Sequence, residues 1–457
     1  MIEFLPLGGA DEIGASCFYL NIAGTGVLLD CGIHPRKTGF ESIPDFLLIE
    51  NKPVDFIFIS HAHQDHIGGL PFLIKKFPHI QIYSTKQTAE LALLTLHNAV
   101  DLISRSIDEP DFIIYTHDEV EMLVKSIRFL KYKETLSAEG MRHTSKNKIK
   151  VTFYDAGHIL GSASVLIEFE NEKIFYTGDI RLEPQFILNG ASIPDFIITT
   201  LMTETTYGST DSKSLGTFSS EAERFTRAAN KILNSGGSVL IPVFALGKMQ
   251  EILLMLHDLK SKNKLLHVPI YSGGLSRKIS GVYDDNRYLV SRNEAEIKLS
   301  DIEQENYFEI NDISFFSKNP SIVLATSGMV LPQTTSFRFA DYWLNDNKSA
   351  IFIVGYCDPE TPGFTLTNSQ QNDKIIFNSF LREVKCSIQR FYFPAHSNRE
   401  NLLKIFNRLS PKQVILIHGE EKSQQWLGEK ILSNKPETKV HAAQKGKTIL
   451  IRKNLDC

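Results

Sequence analysis

The feature that most constrains this chain is the segment HAHQDH at residues 61–66, which directly follows the apolar run VDFIFIS. An extended backbone sends residues two apart to the same side, so His61 and His63 can converge on one metal ion. The turn that follows brings Asp65 and His66 towards a second ion. Imidazoles and carboxylates without thiolates suit Zn²⁺, with Mn²⁺ or Fe²⁺ as alternatives. A lone histidine is usually structural, but this density at a strand end predicts a metal centre.

Four further residues occur at the ends of other apolar runs. His158 follows KVTFYDA, Asp179 follows KIFYTG and His418 follows VILI, and each lies beside a glycine. Taken alone, each could be a structural residue that caps a strand. Together with the first cluster, they are predicted to complete the metal centre. Asp30, after VLL, is expected to accept a hydrogen bond from the ring N–H of a ligating histidine.

Composition limits the function classes. The chain has 457 residues, which predicts two or three domains, and its net charge is -4 with a pI near 6.4. A protein that coats nucleic acid by bulk electrostatics is usually basic, so any nucleic acid is expected to bind in a local cleft.

Three further observations indicate a cytoplasmic protein. The five cysteines are odd in number and scattered, which favours reduced thiols over a disulfide framework. The N-terminal sequence has neither the basic flank nor the apolar region of a secretory signal. No apolar run approaches membrane-spanning length.

The pattern of elements divides the chain into three parts. Residues 1–205 contain short β-rich runs and one long helical stretch from Lys86 to about Arg105. Residues 206–385 alternate between helices and strands, for example a helix at 218–234 followed by the strand SVLIPVF, which predicts a parallel sheet. Residues 386–457, beginning with SIQRFYF, resemble the first part again. The order indicates a domain inserted into a host domain.

The ordered motifs resemble a known family. Asp30, HAHQDH, His158 and Asp179 are similar to the successive motifs of the metallo-β-lactamase superfamily. The later segments LMTETTYG, IPVFALGKMQEIL, ATSGM, FYFPAHSN and VILIHGE resemble the β-CASP nucleases. The nearest pattern is that of the pre-mRNA 3′-end processing endonuclease and its compact prokaryotic relatives, with ribonuclease J more distant. The resemblance implies an α/β protein, a four-layer αββα sandwich with an inserted β-CASP α/β domain.

The resemblance also implies residue roles and a two-metal hydrolysis. One zinc ion would be held by His61, His63 and His158, the other by Asp65, His66 and His418, and Asp179 would bridge them. His396 resembles the family's general acid, Glu204 the acidic residue bonded to it, and Asp65 is counted with them as catalytic. Cleavage would leave 5′-phosphate and 3′-hydroxyl ends.

The expected substrate is single-stranded RNA, because histidine at the position of His418 is typical of the RNA-cutting members. A DNA nuclease and another hydrolase of the same fold are the alternatives; a catalytically silent scaffold is disfavoured because the ligand set is intact. Pro394 replaces the serine that binds phosphate in ribonuclease J, which puts 5′-exonuclease activity in doubt. A homodimer is compatible with the sequence.

Overall fold

The computed structural model describes residues 2–106, 115–212 and 215–452. The chain divides into two compact units. The first contains Met1–Pro184, Gly190–Ser212 and His396–Cys457, and the second contains Gln185–Asn189 and Lys213–Ala395. Among the described residues, no helix is both long enough and apolar enough to cross a bilayer. Cys17, Cys31, Cys357 and Cys386 are buried free thiols, and Cys457 lies outside the described residues.

The elements follow one another along the chain in three groups. Up to residue 212 the strands are β1 (Ile2–Gly8), β2 (Cys17–Ile22), β3 (Thr25–Leu29), β4 (Phe56–Phe58), β5 (Gln81–Ser84), β6 (Arg128–Phe129), β7 (Thr135–Ala138), β8 (Ile149–Asp155), β9 (Ala163–Phe169), β10 (Glu172–Tyr176) and β11 (Thr200–Glu204). The helices of the same group are α1 (Gln64–Ile67), α2 (Leu70–Lys76), α3 (Lys86–Ser106) and α4 (His117–Ser126). The second group contains α5 (Phe218–Asn234), β12 (Val239–Pro242), α6 (Lys248–Ser261), β13 (Ile270–Ser272), α7 (Leu275–Asp285), β14 (Glu305–Asn306), α8 (Phe315–Lys318), β15 (Ile322–Ala325), α9 (Thr335–Trp343), β16 (Ala350–Ile353), α10 (Pro362–Thr367), β17 (Lys374–Phe377), β18 (Phe380–Glu383) and β19 (Ser387–Arg390). The last group contains α11 (Arg399–Leu409), β20 (Gln413–Ile417), α12 (Glu421–Asn434), β21 (Lys439–Ala442) and β22 (Ile449–Arg452).

The first unit is a sandwich of two seven-stranded sheets. Their strand orders are β22-β1-β2-β3-β4-β5-β6 and β21-β20-β11-β10-β9-β8-β7. Apolar side chains from both sheets form one core between them. A second core lies between the first sheet and helices α2, α3 and α4, and a third between the second sheet and helices α11 and α12. This arrangement is the predicted four-layer αββα sandwich.

Strand β4 shows how the sequence produces these layers. Phe56 and Phe58 lie in the core between the sheets, whereas the alternating residues Ile57 and Ile59 lie in the core beneath the helices. Successive side chains of a strand point to opposite faces, and here both faces are covered. A continuous apolar run is therefore required, and the run VDFIFIS supplies it.

The second unit contains a six-stranded sheet in the order β14-β13-β15-β12-β16-β19. All of its strand pairs are parallel, as predicted. Strand β19 contradicts one assignment made from the sequence. The segment SIQRFYF had been assigned to the host domain, but Ser387–Arg390 pairs in parallel with Ala350–Ile353 of the second unit. A strand of four residues carries no signal that identifies its sheet, so local sequence could not decide this.

Candidate metal centre

The predicted ligands lie beyond strand ends on both sheets of the first unit. His61 follows β4 in the first sheet, and His158, Asp179 and His418 follow β8, β10 and β20 in the second. Because β10, β11 and β20 are parallel, their carboxyl ends meet at one edge of the sheet. His63 directly precedes the short helix α1, which carries Asp65 and His66 to the same place.

A first group of side chains surrounds His63. Its Nδ1 lies 3.1 Å from Nε2 of His61 and 3.2 Å from Nε2 of His158. Oδ2 of Asp179 lies 3.5 Å from Nε2 of His61 and 3.6 Å from Nε2 of His158. Three ring nitrogens and one carboxylate oxygen thus converge as a set that could hold a metal ion.

A second group adjoins it. Oδ2 of Asp65 lies 3.4 Å from Nε2 of His418 and 3.8 Å from Nε2 of His66. The other oxygen of Asp179, Oδ1, lies 3.3 Å from Nε2 of His66 and 3.3 Å from Nδ1 of His418. Asp179 therefore presents one oxygen to each group, and both groups have the membership predicted from the sequence.

Two atoms at the centre of the second group test whether a cation fits there. Nε2 of His66 and Oδ1 of Asp179 are buried and make no hydrogen bond, although they lie only 3.3 Å apart. Leaving a buried polar atom without a partner costs about 1–3 kcal/mol, and more for a charged group. A cation between these atoms would satisfy both. The residues present therefore fit a metal ion.

The electrostatics of the cluster differ between the two groups. Burial, helped by the neighbouring charge of His66, holds the pKa of His61 well below its usual range, so this imidazole is uncharged. Burial acts in the same direction on His66, but the carboxylates of Asp179 and Asp65 outweigh it and raise its pKa well above the usual value. Burial alone would raise the pKa of Asp179, whereas His418 and His66 hold it well below its usual range. Asp179 and Asp65 are thus held as carboxylates, the form in which they can bind a cation.

Asp30 fixes the orientation of His66. Its Oδ2 lies 2.8 Å from Nδ1 of His66, so Nε2 is the ring atom that faces the cluster. The carboxylate also accepts hydrogen bonds from the backbone N–H of Ser60 at 2.6 Å, from Ser60 Oγ at 2.6 Å and from Tyr176 Oη at 2.6 Å. The backbone of Asp30 adopts a positive φ of 59°, which aspartate tolerates better than most residues. Ser60 and Tyr176 were not predicted from the sequence, and their only signal is that each lies close to a ligand along the chain.

His396 and Glu204 form a pair beside the first group. Nδ1 of His396 lies 3.0 and 3.2 Å from the two oxygens of Glu204. Its ring centroid lies 4.5 Å from that of His158, and its side chain is 15% exposed. Burial opposes protonation of His396, but the charges of Glu204 and Asp179 outweigh it and raise its pKa. The imidazolium is therefore favoured in this position.

Glu204 could also be read as a metal ligand, because it forms a third set with Asp179 and His418. Its carboxylate, however, already accepts hydrogen bonds from the backbone N–H groups of Ile180 at 2.9 Å and Thr206 at 3.3 Å. Both oxygens are thus committed to other partners. This arrangement favours a role in holding His396.

A four-layer sandwich with a histidine–aspartate cluster at the strand ends defines a metal-dependent hydrolase of the metallo-β-lactamase class. Family models support this description. A metallo-beta-lactamase superfamily domain matches residues 19–206, a Beta-Casp domain residues 249–366, and a Zn-dependent metallo-hydrolase RNA specificity domain residues 382–443. The chain belongs to the β-CASP family of the metallo-β-lactamase superfamily, which confirms the resemblance seen in the motifs.

Named relatives agree with this assignment. The chain is 31% identical over 431 residues to cleavage and polyadenylation specificity factor 73 of Drosophila melanogaster, a match that covers 92% of the chain and 60% of that protein. It is 29% identical over 445 residues to Integrator complex subunit 11 of Danio rerio, covering 94% of the chain and 71% of the relative. A crystal structure of an Enterococcus faecalis V583 protein of unknown function matches 98% of the chain and 99% of its own with a TM-score of 0.56. That protein is 14% identical, so it supports the fold alone.

Proposed function

We propose that this protein is a zinc-dependent endoribonuclease that hydrolyses internal phosphodiester bonds of RNA, leaving 5′-phosphate and 3′-hydroxyl ends. The observation that carries the proposal is the pair of ligand groups that share Asp179, with buried atoms of His66 and Asp179 left without hydrogen bonds. Imidazole and carboxylate ligands suit zinc, and Mn²⁺ or Fe²⁺ would be accepted by the same donors.

The proposed ligands form two sets, one for each metal ion. His61, His63 and His158 would hold one ion, Asp65, His66 and His418 the other, and Asp179 would contribute one oxygen to each. When bound, two divalent ions would supply Lewis acidity for water activation and for neutralising charge on the phosphate. Asp30 keeps the ring of His66 turned towards the centre, since its carboxylate fixes Nδ1.

The departing 3′-oxygen needs a proton, and His396 is the proposed donor. Because Nδ1 faces Glu204, Nε2 is the ring atom that would carry the transferred proton. The carboxylate of Glu204 favours the imidazolium, which is the form that a general acid requires. Glu204 would therefore act through His396.

RNA is the proposed substrate class for two reasons. The matched domain that contains His396 and His418 is described as an RNA specificity domain. One relative is named a cleavage and polyadenylation specificity factor, which associates it with RNA processing. The chain spans 60% and 61% of the length of two curated relatives, so what those whole proteins do is only proposed for this chain. Single-stranded RNA, a homodimer and a cytoplasmic location also remain predictions.

The test is to map RNA ends after incubation with purified protein and zinc. A circular single-stranded RNA should be cut, because an endonuclease needs no free end, and the products should carry 5′-phosphates. His63→Ala should abolish the cleavage, whereas His441→Ala, which alters a histidine of β21 outside the centre, should not.

Matched DNA of the same sequence provides the second arm of this experiment. It should be cut more slowly than RNA at every salt concentration tested, and cleavage of RNA should fall as salt rises because a few local cations hold the phosphates. Faster cleavage of DNA across several sequences would contradict the substrate class. Cleavage of neither polymer by the zinc-loaded protein would contradict the function itself.

A further inference from the structure

We propose that Arg181 is a positioning residue for His396: it fixes the backbone of the proton donor to the segment that follows Asp179. This inference rests on the proposed role of His396 and concerns a residue that no sequence motif indicated. The guanidinium of Arg181 is 3% exposed, and its Nη1 donates a hydrogen bond to the carbonyl oxygen of His396 at 3.2 Å.

Two further hydrogen bonds join the same two segments. The backbone N–H of Ser397 donates to the carbonyl oxygen of Ile180 at 2.6 Å, and the N–H of Leu182 donates to Ser397 Oγ at 2.9 Å. Ser397 is fully buried, so the atoms it contributes to both bonds are shielded from water. Residues 180–182 therefore hold the chain on both sides of the peptide bond between His396 and Ser397.

The imidazole ring of His396 is held from the same segment by a different route. The N–H of Ile180 donates to Oε1 of Glu204 at 2.9 Å, and this oxygen lies 3.0 Å from Nδ1 of His396. Because Ile180 directly follows Asp179, one short segment links the proposed metal bridge to both the ring and the backbone of the proton donor. Displacing that backbone would move the acid relative to the bridge.

The buried guanidinium of Arg181 also pairs with an exposed carboxylate, that of Glu183. The carboxylate of Glu183 lies 3.5 Å from the guanidinium and is 48% exposed, and such pairs contribute little to stability. Removing a guanidinium from water is costly unless its hydrogen bonds are well placed. The hydrogen bond to the carbonyl oxygen of His396 would let the buried guanidinium hold the proton donor in place. Misplacing a reacting group by about 1 Å can cost about 100-fold in rate.

The test measures cleavage by Arg181→Met and Arg181→Lys with the zinc-loaded, full-length protein. Arg181→Met should lower kcat about 10–100-fold while KM and metal content stay unchanged. Arg181→Lys keeps a donor for the carbonyl and should recover most of the loss. Ser397→Ala should lower kcat less. Arg399→Met is the matched control, since Arg399 pairs with Asp211 and Glu400 and should leave kcat unchanged.

A double-mutant cycle separates positioning from general stability. In the His396→Ala background, Arg181→Met should cost nothing further, because the residue through which it acts has been removed. The same loss in both backgrounds, or a fall in metal content, would overturn the proposal.

An NMR measurement that does not depend on cleavage can test the position of His396 even if the proposed function is wrong. In protein with ¹⁵N-labelled histidine, the downfield Nδ1 proton of His396 should be visible in wild type and Arg181→Lys and should shift or broaden in Arg181→Met. An unchanged signal would refute Arg181 as a positioning residue. If His396→Ala cleaves as fast as wild type while the signal shifts, then His396 is not the acid, yet Arg181 does position it.

Discussion

Each unit of this protein buries carboxylates, and their surroundings differ. In the first unit Asp179 is 2% exposed and lies among imidazoles, and its Oδ1 has no hydrogen bond. In the second unit Glu251 of α6 is 4% exposed, and its oxygens accept hydrogen bonds from the backbone N–H groups of Ile187 at 2.9 Å and Leu188 at 3.3 Å. Asp179 therefore has an oxygen that accepts no hydrogen bond, whereas both oxygens of Glu251 accept one.

The pKa values of the two groups move in opposite directions. Burial acts to raise both, but the neighbouring imidazoles of His418 and His66 hold the pKa of Asp179 well below its usual range. For Glu251 burial outweighs the backbone hydrogen bonds and Lys248, and raises the pKa to about 6. Burial alone therefore does not distinguish a ligand from a structural residue. An unsatisfied anionic oxygen among imidazoles indicates a cation site, whereas a satisfied carboxylate indicates an anchor for the backbone.

The largest effect should come from Asp179→Ala. Because Asp179 presents an oxygen to each ligand group, we expect a loss of more than one of the two metal equivalents and of detectable cleavage. Inductively coupled plasma mass spectrometry of purified protein measures the metal. Asp101→Ala, which alters an exposed aspartate of α3, is the control and should keep both equivalents. Full metal content in Asp179→Ala would show that the shared carboxylate is not a bridge.

Glu204 combines features of both carboxylates. Its oxygens accept backbone hydrogen bonds, as those of Glu251 do, but it also contacts the imidazole of His396. His396→Ala should keep the metal and slow cleavage by about 10²–10⁴-fold, the usual worth of a positioned general acid. Glu204→Gln should slow it less, since it removes a charge and leaves the ring in place. An RNA with an activated leaving group needs no acid and should restore much of the rate to His396→Ala. If that substrate restores nothing, His396 has another role.

Asp30→Asn should produce a smaller, one-sided effect. The carboxylate contacts Nδ1 of His66, so its loss should weaken metal binding by the second group about 10–100-fold and leave the first group unchanged. A chelator titration should then release one equivalent much earlier than in wild type. Equal weakening of both equivalents would mean that Asp30 supports the fold and does not orient one ligand.

The family resemblance of the ordered motifs predicted the sandwich, which the structure confirms, and it implied the two ligand groups, whose role as ligands stays a prediction. The candidate residues themselves could be found because strand ends beside glycines are local features of the sequence. The contact between Asp30 and a ligand was also predicted. The role of Arg181 could not be predicted, since its partner is a backbone carbonyl more than 200 residues away. Every residue has such a carbonyl, so the sequence does not show which one is contacted. Strand β19 was assigned to the host domain, which was wrong, because its pairing with β16 is made by backbone atoms that the sequence does not reveal.

The smallest effect, on stability alone, should come from Glu251→Gln. A carboxyl group whose pKa rises from 4.5 to about 6 on folding contributes stability below pH 4.5 that is lost as the pH rises through 6. Glutamine does not titrate, so wild type should lose about 2 kcal/mol of unfolding free energy relative to Glu251→Gln between pH 4 and pH 8. Urea unfolding at a series of pH values measures this difference. Metal content and cleavage should stay at wild-type levels, because both oxygens of Glu251 already accept hydrogen bonds from backbone N–H groups. A loss of metal in this variant would remove the distinction between the two buried carboxylates, and a constant stability difference across the pH range would show that the backbone hydrogen bonds and Lys248 offset the effect of burial on the pKa of Glu251.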